Sequence, residues 1–392
     1  MTAPPETAHH MADLHAVVKR HMEARGMSLR GLANAVHHDP SYLSKALRGL
    51  KPFGPMLARD IDTALGADGE VIRAAARSAP DVPVIVTEDF VPPELVDYFS
   101  SQLSGHYAAD RFLGPGRLIP VAASQYDLLC DVADAATGSV RPDLWTIAAG
   151  FAALLGWLHQ DAGNLTASAR WHDVMIERAH RSGDPQLVGF SLHCKAMLLG
   201  DAGDGRAVLD LTSAGLSQGG LVPKVRVLLL QQAAHGYSMT GGADAVPQCE
   251  RLLGEAESLM DDITDAYPWG ACQAPGYIGI QRATVATRFG HNREAVGLWE
   301  QVLPVIPSSN RRDLGVFSAR QAQALAGVGE PEQAVAVARH VVPVAVQSGS
   351  ARMRAELGVL RKRLEPWRGL PPWRDLEEAL AALPRARKEL ER

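Results

Sequence analysis

Residues 27–66 read MSLRGLANAVHHDPSYLSKALRGLKPFGPMLARDIDTALG, in which short apolar-periodic runs alternate with Gly and Pro. Ser28 stands directly before the run LRGLANAV and predicts the N-cap of a helix. Asp39 predicts a second N-cap, because Pro40 after it suits the first helical position, where its missing amide costs nothing. Two short helices joined by a tight turn are therefore expected inside a five-helix domain that spans residues 13–77.

Glycine and proline mark the other helices of this domain. A first helix is predicted over residues 13–25 and stops at Gly26, since glycine is common just past a helix C-terminus. Pro55 opens a fourth helix and residues 67–77 supply a fifth, whereas residues 1–12 are expected to form a disordered tail. The apolar spacing predicts a core made of Leu14, Val17, Val18, Met22, Leu29, Leu32, Ala33, Val36, Leu43 and Leu47.

The second helix of the pair presents small and polar side chains to solvent, as a helix that enters the major groove of DNA must. The residues predicted to face outward are Ser41, Tyr42, Ser44 and Lys45, followed by Arg48 and Lys51 beside the phosphates. Residues 13–77 hold ten Lys and Arg against seven Asp and Glu, a net charge of +3, which leaves −8 for the rest. Positive charge is thus concentrated where phosphate contacts require it, although a helical bundle with incidental basic residues is an alternative.

The elements SLRGLA, SYLSKALRG and IDTALG make this segment similar to the lambda-repressor-like DNA-binding domain of the XRE (Cro/C1-type) family. The resemblance implies a helix-turn-helix domain that binds double-stranded DNA. It places Ser41, Tyr42 and Lys45 at base-facing or groove-edge positions, and it places Ser28 and Arg30 near the phosphate backbone.

The turn His37-His38-Asp39 departs from the family pattern, which more often has Gly or small polar residues there. We interpret the two histidines as exposed turn residues. A pH-sensitive or phosphate-contacting role is the alternative.

Beyond this domain, prolines predict an extended linker over residues 78–93, with a short strand candidate at residues 82–87. Residues 94–392 show amphipathic helical periodicity, interrupted by short turns that each contain a glycine. Those turn glycines are spaced by 40, 38, 49 and 39 residues and are Gly163, Gly203, Gly241, Gly290 and Gly329. A helix–turn–helix unit at a nearly constant period predicts a solenoid.

Around these turns the chain resembles tetratricopeptide (TPR) repeats. The run TRFGHNREAVGLWEQVLPVIP carries Gly290, Ala295, Trp299 and Pro307 at TPR spacing. The period exceeds the ~34 residues of a standard TPR, so longer helices are expected. An insertion at residues 261–276 is either a loop that lines a site or, as we favour, an inter-repeat connection. The end of the chain predicts a break followed by a capping helix.

In such solenoids the first helix of each pair lines a concave surface that binds a peptide or a small molecule. Carrying the TPR register back from each turn glycine places nine residues on that surface: Trp157, Gln160, Phe190, His193, Gln231, His235, Tyr277, Thr284 and Gln323. The alternative for each of them is a role in packing between helices.

Other function classes find little support in the sequence. Cys130, Cys194, Cys249 and Cys272 are widely spaced, which favours a reducing cytoplasm and argues against disulfides or a zinc site. The chain has no secretory signal and no long uncharged apolar stretch. The runs GDAGDGR and GPGRL lack the strand and the Gly-Lys-Ser/Thr of a phosphate loop, and neither HExxH nor GxSxG occurs. No enzyme activity, metal or cofactor is therefore expected.

The predicted fold class is all-α: a lambda-repressor-like five-helix domain followed by a TPR-like α-solenoid over residues 94–392. This architecture resembles actinobacterial XRE/TPR regulators and the peptide-sensing regulators of Gram-positive bacteria. It implies a homodimeric transcriptional regulator whose repeat domain binds a peptide or small-molecule signal. The alternatives are a constitutive regulator and a scaffold, in either of which the repeats bind a protein partner.

Overall fold

The structure is a computed structural model that describes residues 5–36, 39–48, 51, 53–67, 69–78, 91–264, 270, 272 and 274–383. Every regular element in these ranges is helical, which confirms the all-α prediction. The chain divides into two compact units, Met1–Ile85 and Val86–Arg392. The strand candidate at residues 82–87, most of the predicted linker, and His37 and His38 lie outside the described residues.

The first unit contains five helices: α1 (Pro5–Ala24), α2 (Leu29–Ala35), α3 (Pro40–Leu47), α4 (Pro55–Leu65) and α5 (Glu70–Ser78). One apolar core joins them, and Leu14, Leu32, Leu43 and Ile61 are completely buried in it. Burying a leucine or isoleucine side chain stabilises a fold by about 1.5–3 kcal/mol. The core residues predicted from apolar spacing are buried or packed against this core.

Side-chain caps fix where the central helices begin. The Ser28 hydroxyl accepts a hydrogen bond from the amide of Gly31 at 3.1 Å, and Asp39 Oδ1 accepts one from the amide of Tyr42 at 2.9 Å. Both predicted N-caps are confirmed. Each satisfies an amide that the helix itself leaves without a partner.

The outer helices of this unit differ from the predicted ones. The helix α1 begins at Pro5, so the expected disordered tail over residues 1–12 is wrong for residues 5–12. No Gly or Pro interrupts the chain between Pro5 and residue 13, and proline suits a first helical position. The helix α5 begins at Glu70 because the buried Asp62 carboxylate accepts the amides of Gly69 and Val71, at 2.9 and 3.0 Å.

The second unit contains fourteen α-helices within the described residues: α6 (Glu94–Leu113), α7 (Pro115–Ala135), α8 (Val140–Ala162), α9 (Leu165–Ser182), α10 (Pro185–Asp201), α11 (Gly205–Leu216), α12 (Pro223–Thr240), α13 (Ala245–Ser258), α14 (Tyr277–Phe289), α15 (Asn292–Val302), α16 (Arg311–Gly327), α17 (Pro331–Ser348), α18 (Ala351–Arg363) and α19 (Pro371–Leu380). Trp373 and Leu376 of α19 are buried against the last hairpins, as a capping helix requires.

Helical hairpins repeat through this unit. The five predicted turn glycines connect α8 to α9, α10 to α11, α12 to α13, α14 to α15 and α16 to α17, and each has a positive φ between 68° and 89°. That backbone region is strained for residues with a Cβ. The repeated hairpins confirm the predicted solenoid-like array.

None of the helices in the described ranges combines the length and the apolar character that crossing a bilayer requires.

The inner helices of the array form a closed cycle. The helices α8, α10, α12, α14, α16 and α18 contact one another in sequence, and α18 also contacts α8. Arg312 of α16 bonds Asp161 of α8 at 2.7 Å and the carboxylate of Asp110 on α6. The Ser350 hydroxyl donates to the other oxygen of Asp161 at 2.6 Å. The inner surface is therefore enclosed, where the sequence suggested an open groove.

Close helix packing at glycine can be tested by adding a methyl group. A Cβ on Gly236 of α12 would lie 2.9 Å from Leu209 and 3.0 Å from Val208, both on α11. We expect Gly236→Ala to lower the free energy of unfolding by about 1–3 kcal/mol, measured by chemical denaturation. The control Gly254→Ala, where a Cβ meets open space, should be neutral or gain up to about 1 kcal/mol. Equal effects would contradict the packing assignment.

The ion pairs that close the cycle can be tested with neighbouring arginines. Only 9% of the Asp110 side chain and 2% of the Asp161 side chain are exposed to solvent. Arg312→Leu therefore leaves two buried carboxylates without the cation that pairs with them. We expect it to cost about 3–5 kcal/mol at pH 7. Burial raises the pKa of Asp110 against the opposing effect of Arg312, so the loss should shrink as the pH falls and the carboxyl takes up a proton.

The matched control is Arg311→Leu. Arg311 is exposed and makes a single 3.3 Å hydrogen bond to Gln347, so its loss should cost no more than about 0.5 kcal/mol. If both substitutions reduced stability to the same extent at pH 7, closure by Arg312 would be disproved.

Candidate functional sites

The first candidate site is the outward face of α3. Leu43 and Leu47 anchor this helix in the core, which turns Ser41 and Lys45 to solvent. Tyr42 is half-buried and packs against the core. Of the three residues predicted to meet base edges, Ser41 and Lys45 are therefore exposed and Tyr42 is partly exposed, and the core-facing residues hold the helix in place.

Further predicted contact residues surround this face. Ser44 is half-buried, and its carbonyl accepts a 3.1 Å hydrogen bond from Nε of Arg48. That bond holds the exposed Arg48 side chain along α3. Ser28 and Arg30 are exposed at the start of α2, and Lys51 is exposed beyond α3.

The charges on this face lack acidic partners. Among the described residues, none of Arg30, Lys45, Arg48 and Lys51 forms a salt bridge. By contrast, Lys19 of α1 lies 3.7 Å from Glu23, and Arg20 pairs with Glu70 of α5. Unpaired cations at solvent-exposed positions are available to phosphates.

The second candidate site is the inner surface of the helical cycle. All nine residues predicted there lie on α8, α10, α12, α14 or α16, but they are less accessible than a binding surface requires. Trp157 and Tyr277 are half-buried. The others keep at most 7% of their surface and are Gln160, Phe190, His193, Gln231, His235, Thr284 and Gln323.

His193 and Phe190 form part of the packing between α10 and α12. Their rings are stacked with centroids 5.9 Å apart, and His193 Nδ1 lies 2.9 Å from the carbonyl of Leu228. Burial lowers the pKa of His193 to about 4, so the neutral ring donates its Nδ1–H to that carbonyl. Gln231 also donates to the Leu228 carbonyl, at 3.1 Å.

The predicted insertion at residues 261–276 connects α13 to α14. A Cβ on its Gly270 would meet Leu228 and, at 3.3 Å, Phe190, so the backbone lies directly on these inner residues. Cys272 is completely buried. Gly270 thus lies over Phe190, one of the residues predicted to contact a ligand, within a segment that links α13 to α14.

His235 lies at the centre of a polar cluster. Its Nε2 is 2.8 Å from Oε1 of Gln281, and its Nδ1 is 2.7 Å from Nη1 of Arg288. Burial and the Arg288 charge hold the pKa of His235 well below its usual value. The ring is therefore neutral, donating to Gln281 through Nε2–H and accepting from Arg288 at Nδ1.

A second cluster joins α14, α16 and α18. Arg320 donates to Glu356 at 2.7 Å and to the Thr284 hydroxyl at 3.2 Å. Gln323 donates to the other oxygen of Glu356 at 2.7 Å. The pKa of Glu356 is lowered because Arg320 and these hydrogen bonds outweigh burial.

A third cluster surrounds Trp157. Its Nε1–H donates to Asp110 at 3.2 Å, and the Arg352 guanidinium lies 4.8 Å from the ring centroid. Gln160 donates to Asp201 at 2.6 Å, and Arg352 lies 3.7 Å from the same carboxylate. These contacts stabilise the packing of α18, the last inner helix, against α8, the first.

Sequence reasoning missed the charged members of these clusters. Arg288 is two residues from a turn glycine, outside the positions that the TPR register selects. Arg352 and Glu356 lie on α18, which no turn glycine of the series follows. The only available signal was their place on amphipathic helices.

Within the described ranges, no three His, Cys, Asp or Glu side chains come together in a way that could hold a metal ion.

His172 of α9 is buried, but it does not belong to any of these three clusters. It keeps 1% of its surface, and neither ring nitrogen has a hydrogen-bond partner among the described residues. A Cβ on Gly156 of α8 would lie 2.7 Å from the ring, which shows how closely the helices pack. Burial, with the charge of Lys195, lowers the pKa of His172 to about 4.

This histidine makes stability depend on pH. Because its folded pKa lies below the ordinary value of ~6.5, the unfolded chain takes up a proton first as the pH falls. The contribution of the neutral His172 ring to the free energy of unfolding is complete above about pH 6.5 and is lost as the pH falls towards about 4. We expect His172→Leu to remove about 2 kcal/mol of the destabilisation between pH 7 and pH 5, measured by urea unfolding.

The control for this measurement is His340→Leu, at an exposed position of α17. It should leave the difference in unfolding free energy between the two pH values unchanged. A His172→Leu variant with the pH dependence of the wild type would show that His172 takes up a proton as readily in the folded protein as in the unfolded chain.

Comparison with known proteins concerns the first unit. The family described as "Helix-turn-helix domain" matches residues 13–75, which span α2, α3 and α4 and most of α1 and α5. No curated protein matches the chain. The N-terminal unit is therefore a helix-turn-helix domain, and it is followed by an all-helical array of hairpins.

Proposed function

We propose that the protein is a sequence-specific, DNA-binding transcriptional regulator whose repeat domain mediates dimerisation and binds an effector. The observation that carries the proposal is the solvent-facing basic surface around α3, which has no acidic partner among the described residues and lies inside a unit that matches a helix-turn-helix family. In this family of folds the second helix of the pair lies in the major groove.

On this proposal the residues of the face divide into two groups. Ser41, Tyr42 and Lys45 meet base edges or the groove rim. The remaining members position the domain on the sugar-phosphate backbone and are Ser28, Arg30, Ser44, Arg48 and Lys51. Contacts to phosphate supply affinity without sequence information, and contacts to base edges supply specificity.

One small domain buries too little surface for specific binding, which supports a dimer. Two copies would read half-sites about 34 Å apart or a multiple of that distance. The repeat domain is proposed to dimerise and to set this spacing. A peptide or small-molecule effector would act by binding one arrangement of the repeats better than another.

A second candidate function is a constitutive regulator or scaffold whose repeats bind a protein partner. The burial of the predicted ligand residues favours it, since their hydrogen bonds go largely to neighbouring helices. The two candidates differ in one measurement. Only an effector-binding protein changes its melting temperature with a small molecule or a peptide.

The DNA-binding face can be tested at Lys45. We expect Lys45→Ala to weaken binding by roughly tenfold or more, on a duplex enriched from a random-sequence library with the wild-type protein. The melting temperature should not change, because Lys45 is exposed. Binding is measured by fluorescence anisotropy at fixed ionic strength, since affinity for DNA depends on salt.

The matched control is Lys19→Ala, which removes an exposed lysine of the same domain outside the proposed face. Its affinity for the enriched duplex should equal that of the wild type. Equal affinities of all three proteins would overturn the assignment of α3 as the recognition helix.

A further inference from the structure

The inner arginines of the helical cycle differ in how their charge is neutralised. Arg312 bonds Asp110 and Asp161, Arg320 bonds Glu356, and Arg352 lies near Asp201, as described above. Each of these three cations thus has a carboxylate at hand. In a confined, partly desolvated interior such pairing offsets much of the cost of burying a charge.

Arg288 has no carboxylate among its bonding partners in the described residues. Arg363 of α18 shares this property, but both of its Nη atoms donate, to Asn292 and to the carbonyls of Gln323 and Thr287. The only hydrogen bonds of Arg288 among the described residues run from Nη1, to Nδ1 of His235 at 2.7 Å and to the Ser238 hydroxyl at 3.3 Å. Both partners are neutral. Neither Nε–H nor Nη2–H has a partner in the part of the chain that the structure describes, and these two donors form one edge of the planar guanidinium.

The environment makes this charge costly. The Arg288 side chain is half-buried, and burial together with the nearby Arg320 lowers its pKa to about 10. The carboxylates of Glu356 and Asp201 act on it only at a distance. An uncompensated guanidinium in such a place gains most from an anion that accepts both free donors.

We propose that Arg288 is the anchor of an effector site that takes an oxyanion, either a carboxylate or a phosphate group. The Nε–H and Nη2–H edge provides the bidentate fork that both groups match. His235 and Ser238 hold the opposite side of the guanidinium, so the free edge is already oriented. The inference rests on the proposed function, because it names the chemistry of the effector that the repeat domain binds.

The neighbouring groups explain why Arg288 stays available. His235 is fixed by Gln281 on its other nitrogen, so it cannot rotate away from Arg288. Glu356 is occupied by Arg320 and Gln323. Asp201 accepts from Gln160 and faces Arg352. The carboxylates that could neutralise Arg288 are thus held by other cations and amides.

The experiment follows the Arg288 Nε–H resonance by NMR in the intact, arginine-labelled protein. Sodium acetate and sodium phosphate are titrated separately, with sodium chloride at matched ionic strength as the blank. The resonance is assigned by its loss in Arg288→Gln and confirmed in Arg288→Lys, so one misfolded variant does not prevent the assignment. A parallel thermal melt records the change in melting temperature.

We expect a saturable shift of the Arg288 resonance at millimolar anion and a rise in melting temperature. In the thermal melt, Arg288→Gln should need roughly tenfold more anion, or higher, for the same rise in melting temperature. Without anion it should melt no lower than the wild type, since it removes a charge that no bonded carboxylate compensates. The control Arg339→Gln, an exposed arginine of α17 paired with Asp375, should respond as the wild type does.

Each outcome decides the proposal. Response to both anions supports a general oxyanion site, response to acetate alone a carboxylate effector, and response to phosphate alone a phosphorylated one. A shift no larger than in sodium chloride, or a rise in melting temperature with anion that persists in Arg288→Gln, overturns the site. Binding of the wild type to the enriched duplex is measured in the same samples. An anion response without DNA binding would refute the regulator instead.

Discussion

Closure of the helical cycle, in which α18 contacts α8 and Arg312 of α16 bonds Asp161 of α8, is the constraint on which the second unit depends. Arg312 pairs with Asp161 and Asp110, which lie 151 and 202 positions before it in the chain. Without that closure the hairpins would expose an open inner surface to water. With it, the polar residues on six helices face one another, and the strength of every charge interaction among them rises as water is excluded.

Enclosure also explains the state of the inner histidines and arginines. His193 and His235 are neutral because burial penalises their charged forms, and they serve as hydrogen-bonding groups between helices. Arg312, Arg320 and Arg352 have carboxylates within reach. Among the described residues, Arg288 bonds only the neutral side chains of His235 and Ser238. In the part of the chain that the structure describes, Arg288 thus combines a lack of bonded carboxylates with two free donors, and that combination is what a binding role for the inner surface would use.

The sequence predicted what is encoded locally. The caps at Ser28 and Asp39 and the positive-φ turns at glycine depend on residues a few positions apart, so they could be inferred from spacing. The outward face of α3 followed in the same way, because Leu43 and Leu47 fix which side is buried. The start of α1 at Pro5 was missed, since helical residues before a recognised domain carry little apolar periodicity.

What the sequence could not predict depends on contacts between distant segments. The register placed nine residues on the inner helices, but their burial follows from the closure by Arg312 and from the connection that packs Gly270 against Phe190. Arg288 was not selected because its significance lies in which neighbours fail to neutralise it. That property exists only once α10, α14, α16 and α18 have come together.

On the proposed function, paired copies of the basic face around α3 read duplex DNA. Hydroxyl-radical footprinting of the full-length protein on the enriched duplex tests it most directly. We expect two protected segments related by two-fold symmetry, with centres about one helical turn or a multiple of it apart. Uniform cleavage along the duplex at saturating protein would contradict it.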